Sequence, residues 1–501
     1  MPDVVIIGSG PNGLAAAIEL ARHGVGVRVV EAAETPGGGM RSAELTEPGF
    51  VHDVCSAVHP MGILSPAFRS MPLADYGLEW ASSEVSVAHP MENGDAALLF
   101  RDLDRTAARL GRDGAAWRRM IRPFLRDPHR LMQNLLAPLR VPSMPFSLGW
   151  FGAQGILPAS TYASLRFDGE LAKALFAGCA AHSILPFNKA FTAAVGLIFA
   201  ITGHIEPWPV VRGGSQALAD ALLAHLRALG GTVETGHRVE NLDAFSDADA
   251  ILFDVSPTVM TRIAGDHLPA RYRRRLERFR YGPGTFKIDY ALSESIPWKN
   301  PRVREASTVH LGGTIGEIAH AEAEVWKGRH AQRPFVLLCQ QSELDASRAP
   351  KGQHTGYAYC HVPAGSKVDM TYQLEAQIER FAPGFRDTVI ARHVRGPAAW
   401  EAYNPNYVGG AIAGGASDWR QLFTRPVARL DPYRTPNARL YICSASSPPG
   451  GGVHGMCGYW AARSALRRMR VPRRALPAPT AQPPATVREA RPTLTVVETI
   501  D

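Results

Sequence analysis

The chain has 501 residues, 46% hydrophobic and 20% charged, which excludes a disordered or fibrous protein and allows about three structural units or one large split enzyme. Glycine (47) and proline (39) are abundant without a collagen-like period, so sharp turns and close backbone approaches are expected. Cations exceed anions by 54 to 46, and no nucleic-acid-binding motif accompanies the excess, so nucleic acid is not an expected partner. Only seven cations are lysines, for which a general preference for arginine is the plainer reading; the arginine-dense stretches 271–280 and 463–474 could also meet anionic lipid. Six scattered cysteines with no Cys-x-x-Cys pair argue against a disulfide framework and a zinc site, and no metal is expected. Met1-Pro2-Asp3 leads directly into an apolar strand with no secretory signal, and the longest apolar run (190–203) has 14 residues. A spanning helix needs about 20. A cytoplasmic protein is expected, with a membrane surface as its outermost partner.

Residues 4–7 (Val-Val-Ile-Ile) read as a buried parallel strand. Gly8-Ser9-Gly10-Pro11-Asn12-Gly13 follows, then a helix over 14–24 closed by Gly24, then a strand over 27–31 ending on Glu31. In such a βαβ unit Gly8 permits the tight turn, Gly10 lets backbone approach a pyrophosphate, and Gly13 lets helix and strand pack. The helix start, at Pro11 and Asn12, turns free amides toward phosphate. Glu31, 18 residues past Gly13 and followed by Ala32, can accept both hydroxyls of a plain adenosine ribose. NAD and FAD both remain open at this point.

A second glycine cluster, Gly37-Gly38-Gly39-Met40-Arg41, lies just past that acid and is not needed for NAD. Bare amides and a guanidinium together would neutralise a pyrophosphate. Residues 66–204 mix helical stretches with proline-rich turns. A second α/β section over 205–265 carries Pro209, Gly213-Gly214, a helix over 216–229, Gly230-Gly231, and strands over 232–234 and 250–255. Strands alternate through 266–430, among them 286–292 and 335–340. A strand over 440–444 then leads through Pro448-Pro449-Gly450-Gly451-Gly452-Val453-His454-Gly455 into the last helix. From 471 onward the chain is proline-rich and aperiodic, the composition of a disordered tail. Gly312-Gly313-Thr314-Ile315-Gly316 fails the dinucleotide spacing, so no second bound nicotinamide is expected.

In these glycine-rich segments the sequence resembles the FAD-dependent oxidoreductases that include phytoene desaturases, carotenoid isomerases and retinol saturases. The same branch contains the pyridine nucleotide-disulfide oxidoreductase domain-containing proteins, and the resemblance runs to about residue 470. It implies an α/β fold: a Rossmann-like FAD-binding domain (GR2-type) interleaved with a mixed α+β substrate domain. The first would comprise 1–65, 205–265 and 431–470, the second 66–204 and 266–430. One non-covalent FAD is implied, held by Gly8, Gly10, Pro11, Asn12, Gly13, Glu31, Ala32, Gly38, Gly39, Met40 and Arg41. Val239 would contact the adenine, Ser444 the ribityl chain, and Gly452, Val453 and His454 the isoalloxazine. Many relatives carry Gly-Asp where this chain has Cys443-Ser444.

The resemblance further implies an oxidoreductase acting on carbon–carbon bonds of a hydrophobic polyene or isoprenoid-like molecule. Desaturation, saturation or isomerisation would proceed by hydride transfer at flavin N5, with oxygen or a quinone as diffusing electron acceptor. His454, at the flavin-facing end of the last helix, is the candidate proton acceptor; bonding FAD or capping that helix is its equal alternative. His52, Asp53 and His59 could serve the domain junction. The apolar stretches 131–151 and 174–201 suit a hydrocarbon tunnel or an ordinary helical core. Two other functions stay open. A flavin amine oxidase shares the FAD segments and would show an aromatic cage, with Trp400, Tyr403 or Tyr459 as candidates. A flavin-bound interaction scaffold would instead use 463–474 and the tail.

Overall fold

The computed structural model describes residues 3–472 and the backbone of 486–487, so the expected tail lies almost wholly outside the described residues. Strand Asp3–Ile7 sits in the middle of a five-stranded sheet. Across it the order is Leu440–Ile442, Ala250–Phe253, Asp3–Ile7, Gly26–Val30 and Thr232–Glu234, every pair parallel. Val4 and Ile6 join one core cluster and Val5 and Ile7 another on the opposite face. Burial on both faces is why this strand reads as an unbroken apolar run.

Helix Pro11–Arg22 covers one face of that sheet beside the last helix, Met456–Met469. Their approach is close enough that a Cβ on Gly458 would fall 1.7 Å from the Asn12 carbonyl oxygen. The strand expected over 250–255 stops at Phe253, because Asp254 turns into the glycine loop.

A second sheet has seven strands: Val389–Arg395, Gly284–Leu292, His354–Val362, Val336–Cys339, Ala306–Leu311, Val85–Pro90 and Ala96–Phe100, in that order. All neighbours are antiparallel except Ala306–Leu311 with Val85–Pro90. One face packs Ile288, Tyr290, Leu338, Ala358 and Cys360 with Leu374 and Ile378 of helix Thr371–Glu379. The two-residue period therefore turns Lys287, Asp289, Thr308, His310, Leu337, Tyr357 and Tyr359 to the other face. That face meets helices Glu170–Ala181 and Thr192–Ile205.

The apolar run 190–203 lies almost wholly within helix Thr192–Ile205, and no helix among the described residues is long and apolar enough to cross a membrane. A small sheet joins Trp80–Ser82 to Val210–Val211 and to the backbone of Thr486–Val487. All six cysteines are buried thiols.

Candidate active site

One cavity of about 950 Å³ runs from the glycine loop to the helices over the second sheet. Its nucleotide end is lined by Gly8, Gly10, Pro11, Asn12, Glu31, Ala32, Gly38, Gly39, Arg41 and Val239, and Ser444, Gly452, Val453 and His454 line it farther along. Two of the expected residues stand back from it. Met40 is fully buried in the core, and Gly13 serves packing, since a Cβ there would lie 2.1 Å from the Gly8 carbonyl oxygen.

The loop owes its shape to backbone and to one acid. Gly8 has φ +102°, open to glycine, and helix Pro11–Arg22 starts with proline and no side-chain cap. Pro11 has no amide, and those of Gly13 and Leu14 go to Asp254 and the Gly10 carbonyl, which leaves the Asn12 amide for an anionic ligand. The Gly13 amide donates to Asp254 Oδ2 at 2.7 Å. A Cβ on Gly10 would come within 2.6 Å of the same oxygen, so Asp254 fills the space that glycine leaves. Burial, with the Glu31 carboxylate adding to it, pushes Asp254 well above the usual carboxylate range; the Gly13 amide opposes that shift. Burial and Glu31 thus favour the protonated form of Asp254, which does not repel phosphate. Sequence reading missed this residue, whose signal was an acid ending a buried strand.

Glu31 accepts from the Ser9 amide (2.8 Å) and hydroxyl (2.6 Å), from the Ala33 amide (2.9 Å) and from Arg41 Nη2 (3.1 Å). Arg41 also donates to the Thr35 carbonyl at 2.6 Å and lies over the Tyr403 ring. The acid expected at the ribose and the arginine expected at the pyrophosphate thus pair with each other. A buried ion pair beside bare amides fits a nucleotide that exchanges those partners, with phosphate drawing Arg41 and ribose hydroxyls taking Glu31.

His454 is 1% exposed, and burial holds it down at about 4, so the ring is neutral. Its Nδ1 accepts the Met456 amide at 3.0 Å, which caps the last helix and uses the ring's one acceptor lone pair. Ser65 Oγ donates to the His454 carbonyl at 2.5 Å. Gly452 has φ +122°, a conformation that its lack of a side chain makes accessible.

Behind Cys55–Val58, which line the cavity, lies a buried polar knot. Asp53 accepts from Arg348 Nη2 (3.1 Å), the Ser215 amide (2.7 Å) and Ser42 Oγ (2.8 Å). Lys287 Nζ donates to the carbonyls of Asp53 (2.9 Å) and Val54 (3.0 Å) and to Asp289 (2.6 Å). His52 bonds Thr46 Oγ1 at 2.7 Å, and His59 bonds Ser215 Oγ at 2.9 Å. Of these three early residues only His59 reaches the cavity.

The far end is apolar and aromatic, with Met61, Met132, Phe151, Phe191, Ile198, Phe199, Leu337 and the paired rings of Tyr357 and Tyr359. The cage candidates are not gathered there. Trp400 is fully buried against Tyr403 and Tyr407, Tyr459 packs on Trp460, and only Tyr403 lines the cavity, beside Arg41. Glu31 and Asp254, both at the nucleotide end, are the lining carboxylates.

Residues 6–71 match the family model of the NAD(P)-binding Rossmann-like domain. The mouse pyridine nucleotide-disulfide oxidoreductase domain-containing protein 2 is 27% identical, the match covering 93% of this chain and 94% of that protein. The all-trans-zeta-carotene desaturase of Myxococcus xanthus is 24% identical over 90% of each chain. The resemblance carried by the glycine-rich segments therefore extends across most of the chain. Among solved structures, putrescine oxidase superposes with a TM-score of 0.60 at 16% identity, covering 93% of this chain and 99% of its own. An oxidoreductase from Methanosarcina mazei gives 0.61 at 16% identity, covering 93% and 100%. Both carry the same fold, an α/β architecture with a Rossmann-like unit.

Proposed function

We propose that this protein is an FAD-dependent oxidoreductase acting on carbon–carbon bonds of a hydrophobic, polyene or isoprenoid-like substrate, by desaturation, saturation or isomerisation. Continuity carries the reading: one cavity joins the dinucleotide loop to an apolar chamber with no lining carboxylate. Segments 1–65, 205–265 and 431–470 would form the cofactor-binding unit, and 66–204 with 266–430 the substrate unit. Bound FAD supplies a hydride-accepting centre. Gly8, Gly10, Pro11 and Asn12 would present backbone to its pyrophosphate, with Gly38 and Gly39 opposite and Arg41 supplying positive charge. Glu31 and Ala32 would hold the ribose, Val239 the adenine and Ser444 the ribityl chain. Gly452 and Val453 would flank the ring. His454, its acceptor nitrogen already used, holds that turn on the last helix. The apolar walls exclude water and orient the reacting carbon–hydrogen bond. Electrons would pass to a diffusing acceptor, oxygen or a quinone.

The mouth supports uptake of substrate from a membrane surface. Leu139 (75% exposed) and Phe423 (47%) line the cavity yet face outward, as does Leu430, with Arg140 and Arg429 beside them. Apolar tips among arginines suit the interface of an anionic bilayer.

Amine oxidation is the second reading, favoured by the putrescine oxidase likeness. Against it, the candidate cage is dispersed, and a protonated amine would enter an apolar chamber with no counter-charge. Incubating the holoenzyme with a lipid extract of its own cells and following it by mass spectrometry tests the proposal. An isoprenoid species should gain or lose a pair of hydrogens, or change retention at constant mass. Consumption of amines alone overturns the reading.

A further inference from the structure

The chamber is not uniformly apolar. His182 lines it on the side of helix Glu170–Ala181, its ring stacked on Phe199 at 4.1 Å and 21°. His182 Nε2 lies 3.1 Å from His310 Nε2, and Gly178 makes room for that pair, since a Cβ there would come 2.4 Å from His310 Nδ1. His310 is fully buried and its Nδ1 has no partner. Trp208, 1% exposed and edge-on to His182, lines the same stretch and leaves its indole nitrogen without a partner.

The proton positions follow from satisfaction. Two neutral imidazoles sharing one Nε2–Nε2 contact need one donor and one acceptor. Were His182 the donor, His310 Nδ1 would carry a buried N–H with no acceptor, whereas an unpaired acceptor nitrogen is better tolerated. His310 Nε2–H therefore donates, and His182 keeps its proton on Nδ1. Burial holds His182 down at about 3, which keeps it neutral. The His182 Nδ1–H thus stands as a donor in a largely apolar wall, costly to leave unmet, whereas the Trp208 indole nitrogen is buried away from the cavity.

We propose that His182 binds an oxygen acceptor on the substrate, so that the preferred ligand is an oxygenated isoprenoid with a hydroxyl or carbonyl and not a bare hydrocarbon. This rests on the proposed reading of the chamber as a site for an isoprenoid-like substrate. An apolar wall alone favours the more hydrophobic ligand, so the two expectations have opposite signs.

The test is equilibrium binding of geranylgeraniol and of the same chain lacking its oxygen to the purified holoenzyme. The alcohol should bind about tenfold more tightly, as one buried hydrogen bond allows. His182→Phe, which keeps the stack on Phe199, should reverse the order to that of hydrophobicity with the flavin spectrum intact. Tighter or equal binding of the hydrocarbon by the unaltered holoenzyme overturns the inference while leaving the isoprenoid reading standing. An alcohol preference that survives in His182→Phe also overturns it. Binding of neither probe defeats the isoprenoid reading itself, and this inference with it.

Discussion

The Asp254 carboxyl accepts the Gly13 amide at 2.7 Å and so ties the end of strand Ala250–Phe253 to the glycine loop. The two residues lie 241 positions apart in sequence. Because burial and Glu31 favour the protonated form of Asp254, its amide isostere should do the same work. Asp254→Asn is expected to hold FAD within about threefold of the unaltered protein, while Asp254→Ala, which deletes the acceptor, weakens binding about tenfold. Fluorescence titration of the apoprotein measures both. Equal damage from the two variants would contradict the neutral-acid assignment.

Gly452 separates backbone strain from contact with the cofactor. At φ +122° any side chain is strained whatever lies nearby, and the nearest atom to a built Cβ is His454 Cδ2 at 3.2 Å. Gly452→Ala is thus expected to cost the apoprotein roughly 1–3 kcal/mol, before FAD enters the comparison. Urea unfolding of apoprotein reads this directly. An unchanged midpoint there, with a lowered one only in the holoprotein, would show that the ring and not the backbone demands glycine.

Burial holds His52, His59, His89, His204 and His454 each at about 4, against 6.5 for the free side chain. Between those values the unfolded chain binds protons that the native one does not, so stability is full above about 6.5 and falls as pH drops toward 4. Each histidine contributes at most about 1.4 kcal/mol per pH unit. Asp254, Glu19 and Glu206 are raised by burial and act with the opposite sign, but they are fewer. The melting temperature should decline steadily from pH 7 to pH 4.5, about the range where only histidines of ordinary pKa titrate. A flat profile would show that these rings are protonated in the native state.

The first βαβ unit was legible because its signals are local. Val4–Ile7, the Gly8–Gly13 loop and Glu31 fall within one unit, and the strand boundaries match to a residue or two. The cavity walls were not, because they are set by pairing between distant strands. In residues 354–362 the alternation of Tyr357, Tyr359 and His361 with Ala358, Cys360 and Val362 is visible in the sequence, yet only pairing with Val336–Cys339 and Gly284–Leu292 shows which set faces inward. His182 and Asp254 gave no motif at all. Each acquires its chemistry from a partner far along the chain: His310 and Gly13. For His454 the sequence left base and cap equal, and the Met456 amide on Nδ1 supports the cap.

Anaerobic titration of the purified yellow holoenzyme, followed at the visible flavin band, tests the central claim most directly. Isoprenoid alkenes or their oxygenated derivatives should change that band, by bleaching it where the substrate is oxidised or by recolouring the pre-reduced protein where it is saturated. Amines of similar size should do neither. Rapid bleaching by amines with no response to any isoprenoid, or a folded protein that stays colourless when FAD is added, would contradict the account.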